Sequence, residues 1–345
     1  MPHETPWTCD SSGAVEPQDS NLEEDGSLLE VTNLRTQIRS GGETTVPVDG
    51  VSLSVGGSQI VGLVGESGCG KSMTALSVMG LMPPGASIVG GSIKLDGREL
   101  VGLSEKELCT VRGQDIGMIF QDPMTSLNPT KTVGKQISEP LRLHGGLNRK
   151  SARARAEDLI RSVGLAQPSR AYESYPHQFS GGMRQRIMIA IALVSEPKLL
   201  IADEPTTALD VTVQAQILSL LHDLHESHHM AILLITHDFG VVASIADRVE
   251  VMYAGQIVEG ADIDELYGHP RHPYSAALLA ACPSLRGPQV RRLQTIKGLP
   301  PSLSKRFTGC RFAPRCNRAT AECRTSAPEL ESSSAGHEFR CIHPM

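Results

Sequence analysis

Gly65-Glu66-Ser67-Gly68-Cys69-Gly70-Lys71-Ser72 decides the reading of this chain. It fits G-x-x-x-x-G-K-[ST], a loop that wraps a phosphate chain. Ile60-Val61-Gly62-Leu63-Val64 just before it reads as a short buried strand, and Met73 to Met79 just after it continues as a helix. Glycine removes the Cβ that blocks a close backbone approach to an anion and admits dihedrals closed to other residues. The loop amides and the positive end of the following helix then face the phosphates. On this reading Lys71 reaches the β- and γ-phosphates of ATP, and the Ser72 hydroxyl ligates Mg2+. The bland alternative is a glycine-rich turn before a helix; strand, loop, Lys and Ser all agreeing argue against it.

Working outward, ATP hydrolysis needs a second magnesium ligand and a base beside the γ-phosphate. Leu199-Leu200-Ile201-Ala202 is a continuous apolar run, as in a parallel strand covered on both faces. It ends in Asp203-Glu204, where α/β sheets place their ligands. Asp203 is expected to help hold Mg2+ and Glu204 to polarise the attacking water. Gln121 ends another apolar run, Ile116–Phe120, from which its amide can contact the metal and the water. His237 also stands at a strand end, after Ala231–Ile235, and can hydrogen-bond the γ-phosphate. Ser180-Gly181-Gly182 opens the helix Met183 to Val194, a second anion site by the same helix-terminus physics. Two anion sites in one chain suggest nucleotide held between two subunits. Each of these has a plainer reading: a capping pair, a solvated glutamine, a structural histidine, an N-cap.

The 345 residues suit roughly two domains of about 150 residues. The net charge of −6 lacks the basic footprint of a nucleic-acid binder, so no nucleic acid is expected as a partner. No apolar run approaches the ~18 residues that cross a bilayer, so any membrane role passes through a partner. Residues 1–26 hold seven carboxylates and no Lys or Arg. They read as a disordered acidic tail rather than a secretory leader, and the chain is expected to be cytoplasmic.

Leu28 to Leu34 and Val51 to Val55 alternate like strands, with Thr36 to Asp49 expected as a loop between them. Gly91 to Leu100 is a strand pair around Asp96-Gly97, a strong hairpin signal. From about 122 to 187 the pattern turns helical, with Val133–Leu143 and Arg149–Val163 at helical spacing. Thr212 to His225 is a helix, and Val249–Tyr253 and Gln256–Glu259 form a closing hairpin. From about 265 prolines punctuate the chain and cysteines crowd its end. The expected organisation is an α/β P-loop NTPase core over 27–265, with an antiparallel β subdomain and a helical insert, followed by a small Cys-rich extension over 266–345.

The ordered set Gly65–Ser72, Gln121, Phe179-Ser180-Gly181-Gly182-Met183, Leu199–Glu204, Ala208-Leu209-Asp210 and His237 resembles the ATP-binding subunits of ABC transporters. These correspond to that family's Walker A, Q-loop, signature, Walker B, D-loop and switch histidine. The resemblance implies an ABC ATPase fold and a nucleotide-sandwich dimer in which one subunit's signature completes the other's ATP site. Phe120 to Pro129, Tyr175 to Arg186 and His272-Pro273-Tyr274 with the cysteine tail are similar to oligopeptide and dipeptide importers. That branch implies a second ATP-binding subunit, the same or different, two integral membrane permease subunits docked near Met124–Pro129 (Ser126 and Leu127 among them), and an extracytoplasmic substrate-binding protein. It implies a peripheral position on the cytoplasmic face of the membrane. An importer of nickel or another small solute, and a soluble non-transport ABC ATPase, are the rival readings. One departure stands out: between Leu28 and Ile60 there is no Phe, Tyr or Trp to stack on adenine, and Ile38 or Val46 is expected to pack there instead.

Cys310, Cys316, Cys323 and Cys341 are spaced C-x5-C-x6-C-x17-C. A lobe so poor in large apolar groups needs a staple, and disulfides are disfavoured in the cytoplasm. The spacing lacks paired C-x2-C knuckles, so a zinc ribbon fits poorly. Four thiolates also suit an iron–sulfur cluster, and the extension that this segment resembles carries a 4Fe–4S cluster. Cluster, Zn2+ and free or disulfide-bonded thiols stand as alternatives.

Overall fold

The computed structural model describes residues 26–143, 145–207, 209–282, 295–304, 307–333 and 336–345. The acidic segment 1–25 and Ala208 of the expected D-loop lie outside the described residues. Two sheets organise the rest. The smaller is antiparallel. It contains β1 (Ser27–Ser40), β2 (Glu43–Gly56), β4 (Ala86–Leu95) and β5 (Arg98–Glu99) in the order β2-β1-β4-β5. Thr36 to Asp49 is not a loop, as expected from its glycines, but the continuation of both long strands. Gly41 and Gly42 have φ of 58° and 83°, the two positive values of a tight turn that matches strand twist. The bulge where β1 passes from Val31 to Leu34 keeps Leu29, Val31, Leu34 and Thr36 buried on one face.

The larger sheet carries the nucleotide loop. Its strands are β3 (Ile60–Val64), β6 (Ile116–Ile119), β7 (Leu199–Asp203), β8 (Ala231–Thr236), β9 (Arg248–Tyr253), β10 (Gln256–Asp262), β11 (Glu331–Ser332) and β12 (Glu338–Phe339). Their order is β11-β12-β10-β9-β3-β8-β7-β6, parallel from β9 to β6. β3, β7 and β8 are buried at every residue, which is why they read as unbroken apolar runs. The strand ends of β3, β6, β7 and β8 share one edge of the sheet, and that edge gathers the phosphate loop, Gln121, Asp203-Glu204 and His237.

Helices cover the faces. α1 (Lys71–Val78) leaves the phosphate loop; α2 (Glu105–Val111) begins with Ser104 and Glu107 capping one another. The insert holds α3 (Pro123–Ser126), α4 (Val133–Leu143), α5 (Arg149–Ser162), α6 (Pro168–Glu173) and α7 (Gly181–Leu193). Ile137, Ala152, Ala156, Ile160 and Ile187 close that insert in one core continuous with the sheet. α8 (Val211–His228), α9 (Phe239–Ile245), α10 (Ile263–Gly268) and α11 (Pro273–Ala281) follow, and α12 (Ala321–Thr325) belongs to the C-terminal lobe. That lobe returns to the large sheet: β12 pairs with β10 through Phe339 and Glu338. Phe312 packs edge-on against Tyr253 at 5.3 Å between ring centroids. Among the described residues, no helix is long and apolar enough to cross a membrane.

Candidate active site

The phosphate loop bends where only glycine is tolerated. A Cβ on Gly65 (φ 155°) would stand 2.2 Å from the Met252 carbonyl oxygen, and one on Gly70 (φ 117°) 2.1 Å from that of Pro47. β9 and β2 thus press on the loop from both sides and shape it before any nucleotide arrives. Lys71 Nζ donates to the carbonyls of Gly65 (2.7 Å) and Glu66 (3.1 Å), closing the loop on itself. A triphosphate entering the loop offers the ammonium stronger, charged acceptors.

Ser72 and Asp203 meet across this edge, with the Ser72 hydroxyl donating to Asp203 Oδ1 at 3.1 Å. Two oxygen groups this close, beside the loop, match the ligand chemistry of a hard cation such as Mg2+. Burial raises the Asp203 carboxyl above its ordinary range, partly offset by the Ser72 hydroxyl.

Glu204 is the most heavily constrained side chain of the set. Its backbone takes a left-handed φ of 48° and its amide donates to the Ile235 carbonyl at 2.8 Å. That twist at the strand end turns the carboxylate over the loop. Oε2 accepts from Gln121 Nε2 (3.1 Å) and Thr207 Oγ1 (2.8 Å), while Oε1 lies 3.3 Å from His237 Nδ1. Burial alone raises this carboxyl, but the bonds from Thr207 and His237 outweigh it and hold the group below its ordinary value. Glu204 is therefore ionised at neutral pH and able to accept a proton from water.

The pocket between these groups is about 560 Å3 and is lined by Pro47, Ser67, Gly68, Gly70, Lys71, Ser72, Met73, Gln121 and Glu204. The structure therefore brings Gly65–Ser72, Gln121, Asp203, Glu204 and His237 together. Ser180-Gly181-Gly182 lies elsewhere, at the start of α7, with the Ser180 hydroxyl accepting from the Met183 amide (3.4 Å). Within one chain it takes no part in the pocket. Cys69 is buried beneath the loop, and burial raises its thiol. Of the stretch that lacks an aromatic residue, Pro47 lines the pocket at the phosphate loop. Leu127, expected on the docking surface, is buried, while Met124 beside it is exposed.

Sequence reasoning missed Thr207, Tyr274 and Arg315. Thr207 lies three residues past Glu204 and its hydroxyl is a legible signal. Tyr274 Oη accepts from the Glu66 amide (2.9 Å), and Arg315 grips the Glu66 carboxylate. Neither contact, across 208 and 249 residues, has a local sequence signal.

The four C-terminal cysteines line one small cavity with Phe312, Ala313 and Ile342 among its walls. All four are free thiols. Burial raises those of Cys310 and Cys341, the latter to about 11. Among the described residues, no group of three or more His, Cys, Asp or Glu is placed to hold a metal ion.

Residues 48–207 match the ABC transporter family, and residues 258–323 the oligopeptide/dipeptide transporter C-terminal region. An oligopeptide transport ATP-binding protein, AppD of Bacillus subtilis, is 50% identical over 92% of this chain and 96% of its own length. An oligopeptide transport ATP-binding protein, OppD of Mycobacterium tuberculosis, is 48% identical over 91% of this chain and 52% of its own length. Among solved structures, the ATP-binding cassette MJ0796 in a dimeric post-hydrolysis state with ADP and Pi superposes with a TM-score of 0.62. It is 27% identical over 68% of this chain and 98% of its own length. The chain belongs to the ABC transporter family and is an ATP-binding, ATP-hydrolysing cassette. Within that family it stands with the oligopeptide/dipeptide transport ATP-binding subunits, whose C-terminal region it carries.

Proposed function

We propose that this cassette energises the import of peptides through two separate membrane permease subunits, fed by an extracytoplasmic binding protein. It would do so as a peripheral subunit on the cytoplasmic face of the membrane. The observation that carries the chemical reading is Glu204, ionised and held on three sides over the loop by Gln121, Thr207 and His237. Lys71 exchanges the carbonyls of Gly65 and Glu66 for the β- and γ-phosphates. Ser72 and Asp203 would hold the magnesium ion, which supplies charge neutralisation to the phosphates. Glu204 draws the proton from the attacking water, Gln121 orients that water, and His237 steadies both the carboxylate and the γ-phosphate. Electrostatic stabilisation and orientation are what phosphoryl transfer asks of a protein.

The exposed start of α7 supports a dimer. Ser180, Gly181 and Gly182 are unused by their own pocket and free to complete the pocket of a second cassette, identical or different. Met124 and Ser126 on α3, directly after Gln121, are suited to contact the permease, so occupancy of the site reaches the membrane partner through one short segment. Uptake of labelled peptide by the reconstituted assembly, with ATP turnover stimulated by the peptide-loaded binding protein, tests the reading. Uptake of nickel and not peptide would overturn the substrate class. Mass spectrometry of the assembly decides whether the second cassette is another copy of this chain.

For the lobe we propose a structural 4Fe–4S cluster on Cys310, Cys316, Cys323 and Cys341. What supports it is the donor set, four thiols lining one apolar-walled cavity. Such a centre would bind the thiolates, displace their protons and staple a lobe that has few apolar residues of its own.

A further inference from the structure

We infer that Arg315, although it belongs to the C-terminal lobe, is a positioning residue of the ATP site that neutralises Glu66 so the phosphate loop can take a triphosphate. Glu66 puts a negative charge in the loop's own chain, directly before Ser67 and Gly68 of the pocket wall, with its carboxylate turned outward to Arg315. An uncompensated carboxylate there repels the ligand the loop exists to bind. Arg315 removes that repulsion with a two-pronged contact: Nη1 to Oε2 at 2.5 Å and Nη2 to Oε1 at 2.9 Å. The guanidinium is itself held from other directions. Its Nε donates to the Lys297 carbonyl (3.0 Å), Nη1 also reaches Tyr253 Oη (3.3 Å), and the group lies over the Tyr253 and Phe312 rings. The Arg315 side chain is 5% exposed and that of Glu66 24%, so solvent screens the pair only from the Glu66 side.

The main chain of Glu66 is turned the same way. Its amide donates to Tyr274 Oη (2.9 Å), while its carbonyl faces inward to Lys71 (3.1 Å). Glu66 is thus a hinge pin: charge and amide gripped from outside, carbonyl offered to the catalytic lysine inside. Arg311, four residues earlier, grips the other flank by donating to the Ala254 carbonyl (2.5 Å) and to Asp49, close to Pro47 of the pocket wall. The lobe therefore braces the loop from two sides, but only Arg315 cancels a charge within it.

The test is equilibrium binding of a fluorescent ATP analogue with Mg2+ to the full-length chain, alongside steady-state turnover. Truncating one partner of a half-buried charge pair leaves the other unpaired. Arg315→Ala should therefore raise the Kd by ~10-fold, which is 1.4 kcal/mol, and raise KM more than it lowers kcat. Adding Glu66→Gln should restore the affinity to within ~3-fold of the natural chain, because the unpaired charge is gone even though the tether is still missing. Arg315→Lys keeps the charge but gives up the two-pronged contact and the bond to Lys297, so its Kd should fall between those of the natural chain and Arg315→Ala. An unchanged Kd in Arg315→Ala overturns the inference. So does a double variant as weak as the single one, which would mean that Arg315 is only a strut, or an Arg315→Lys chain as weak as Arg315→Ala.

Discussion

Glu204→Gln separates the chemistry of the site from its architecture. The substitution keeps the side chain's length and volume. Its amide oxygen can stay on Gln121 Nε2 and Thr207 Oγ1, now at 3.1 and 2.8 Å, while its NH2 turns to His237 Nδ1 at 3.3 Å. At most one hydrogen bond weakens, which costs about 1 kcal/mol. In a chain of this size that moves Tm by ~2–4 °C or less. Turnover should fall far more, because the group no longer draws a proton: a positioned base contributes ~10²–10⁴ in rate. At 1.36 kcal/mol per tenfold that is about 2.7–5.4 kcal/mol of barrier. Removing a negative charge beside the γ-phosphate also favours retention of ATP. Phosphate release at saturating Mg-ATP, with ATP affinity and thermal melting on the same sample, reads all three quantities. Turnover within about tenfold of the natural chain, with ATP still bound, refutes the role given to Glu204. A fall in Tm of about 10 °C would refute the premise that the site's architecture survives the change.

Chain purified without oxygen should be brown, with broad absorbance near ~400 nm, and Cys316→Ser should bleach it; colourless chain carrying zinc or no metal refutes the cluster. A cysteine at Met124 or Ser126 should cross-link to a cytoplasmic loop of the permease, whereas one at Leu127 should not, since Leu127 is buried; equal cross-linking at all three would refute α3 as the docking face. Burial raises the Glu250 carboxyl from 4.5 to about 7, with Arg248 pulling the other way. The folded chain then keeps a proton that the unfolded chain has released, so this group makes stability fall as pH rises across that window. Glu250→Gln should flatten the dependence of Tm on pH between about 5 and 7, and an unaltered slope would show that Glu250 is not the group responsible.

The strand, loop and helix from Ile60 to Val78 were legible because they are contiguous and each obeys a local rule: burial, absence of Cβ, helix start. The same holds for Asp203-Glu204 at the end of an unbroken apolar strand. Ser104-x-x-Glu107 was an available capping signal that went unread. Gly41-Gly42 misled because glycines in a row suit a loop as well as a two-residue turn; only the pairing of Ile38 with Thr45 and Ser40 with Glu43 decides between them. Leu127 was misplaced because a four-residue helix shows no period from which to tell its inner face. Arg315, Tyr274 and β12 act through partners 249, 208 and 78 or more residues away, a distance over which composition and spacing carry no information.

β3, the strand that launches the phosphate loop, lies between β8 and β9, pairing Val61 with Leu233 on one side and with Arg248 on the other. Both neighbours emerge from the ribosome long after it. Between Val64 and Tyr253 there are 189 residues of synthesis, roughly 10–40 s at ~5–20 residues per second. Until β8 is made, late in that interval, an apolar strand with two open edges waits without these partners, the kind of segment that pairs with the wrong chain. Such non-local pairing also slows folding itself. A nascent chain stalled before β9 should therefore bind no nucleotide, however complete its motifs, and should depend on chaperones that shield strand edges. The phosphate loop is thus translated early but assembled late.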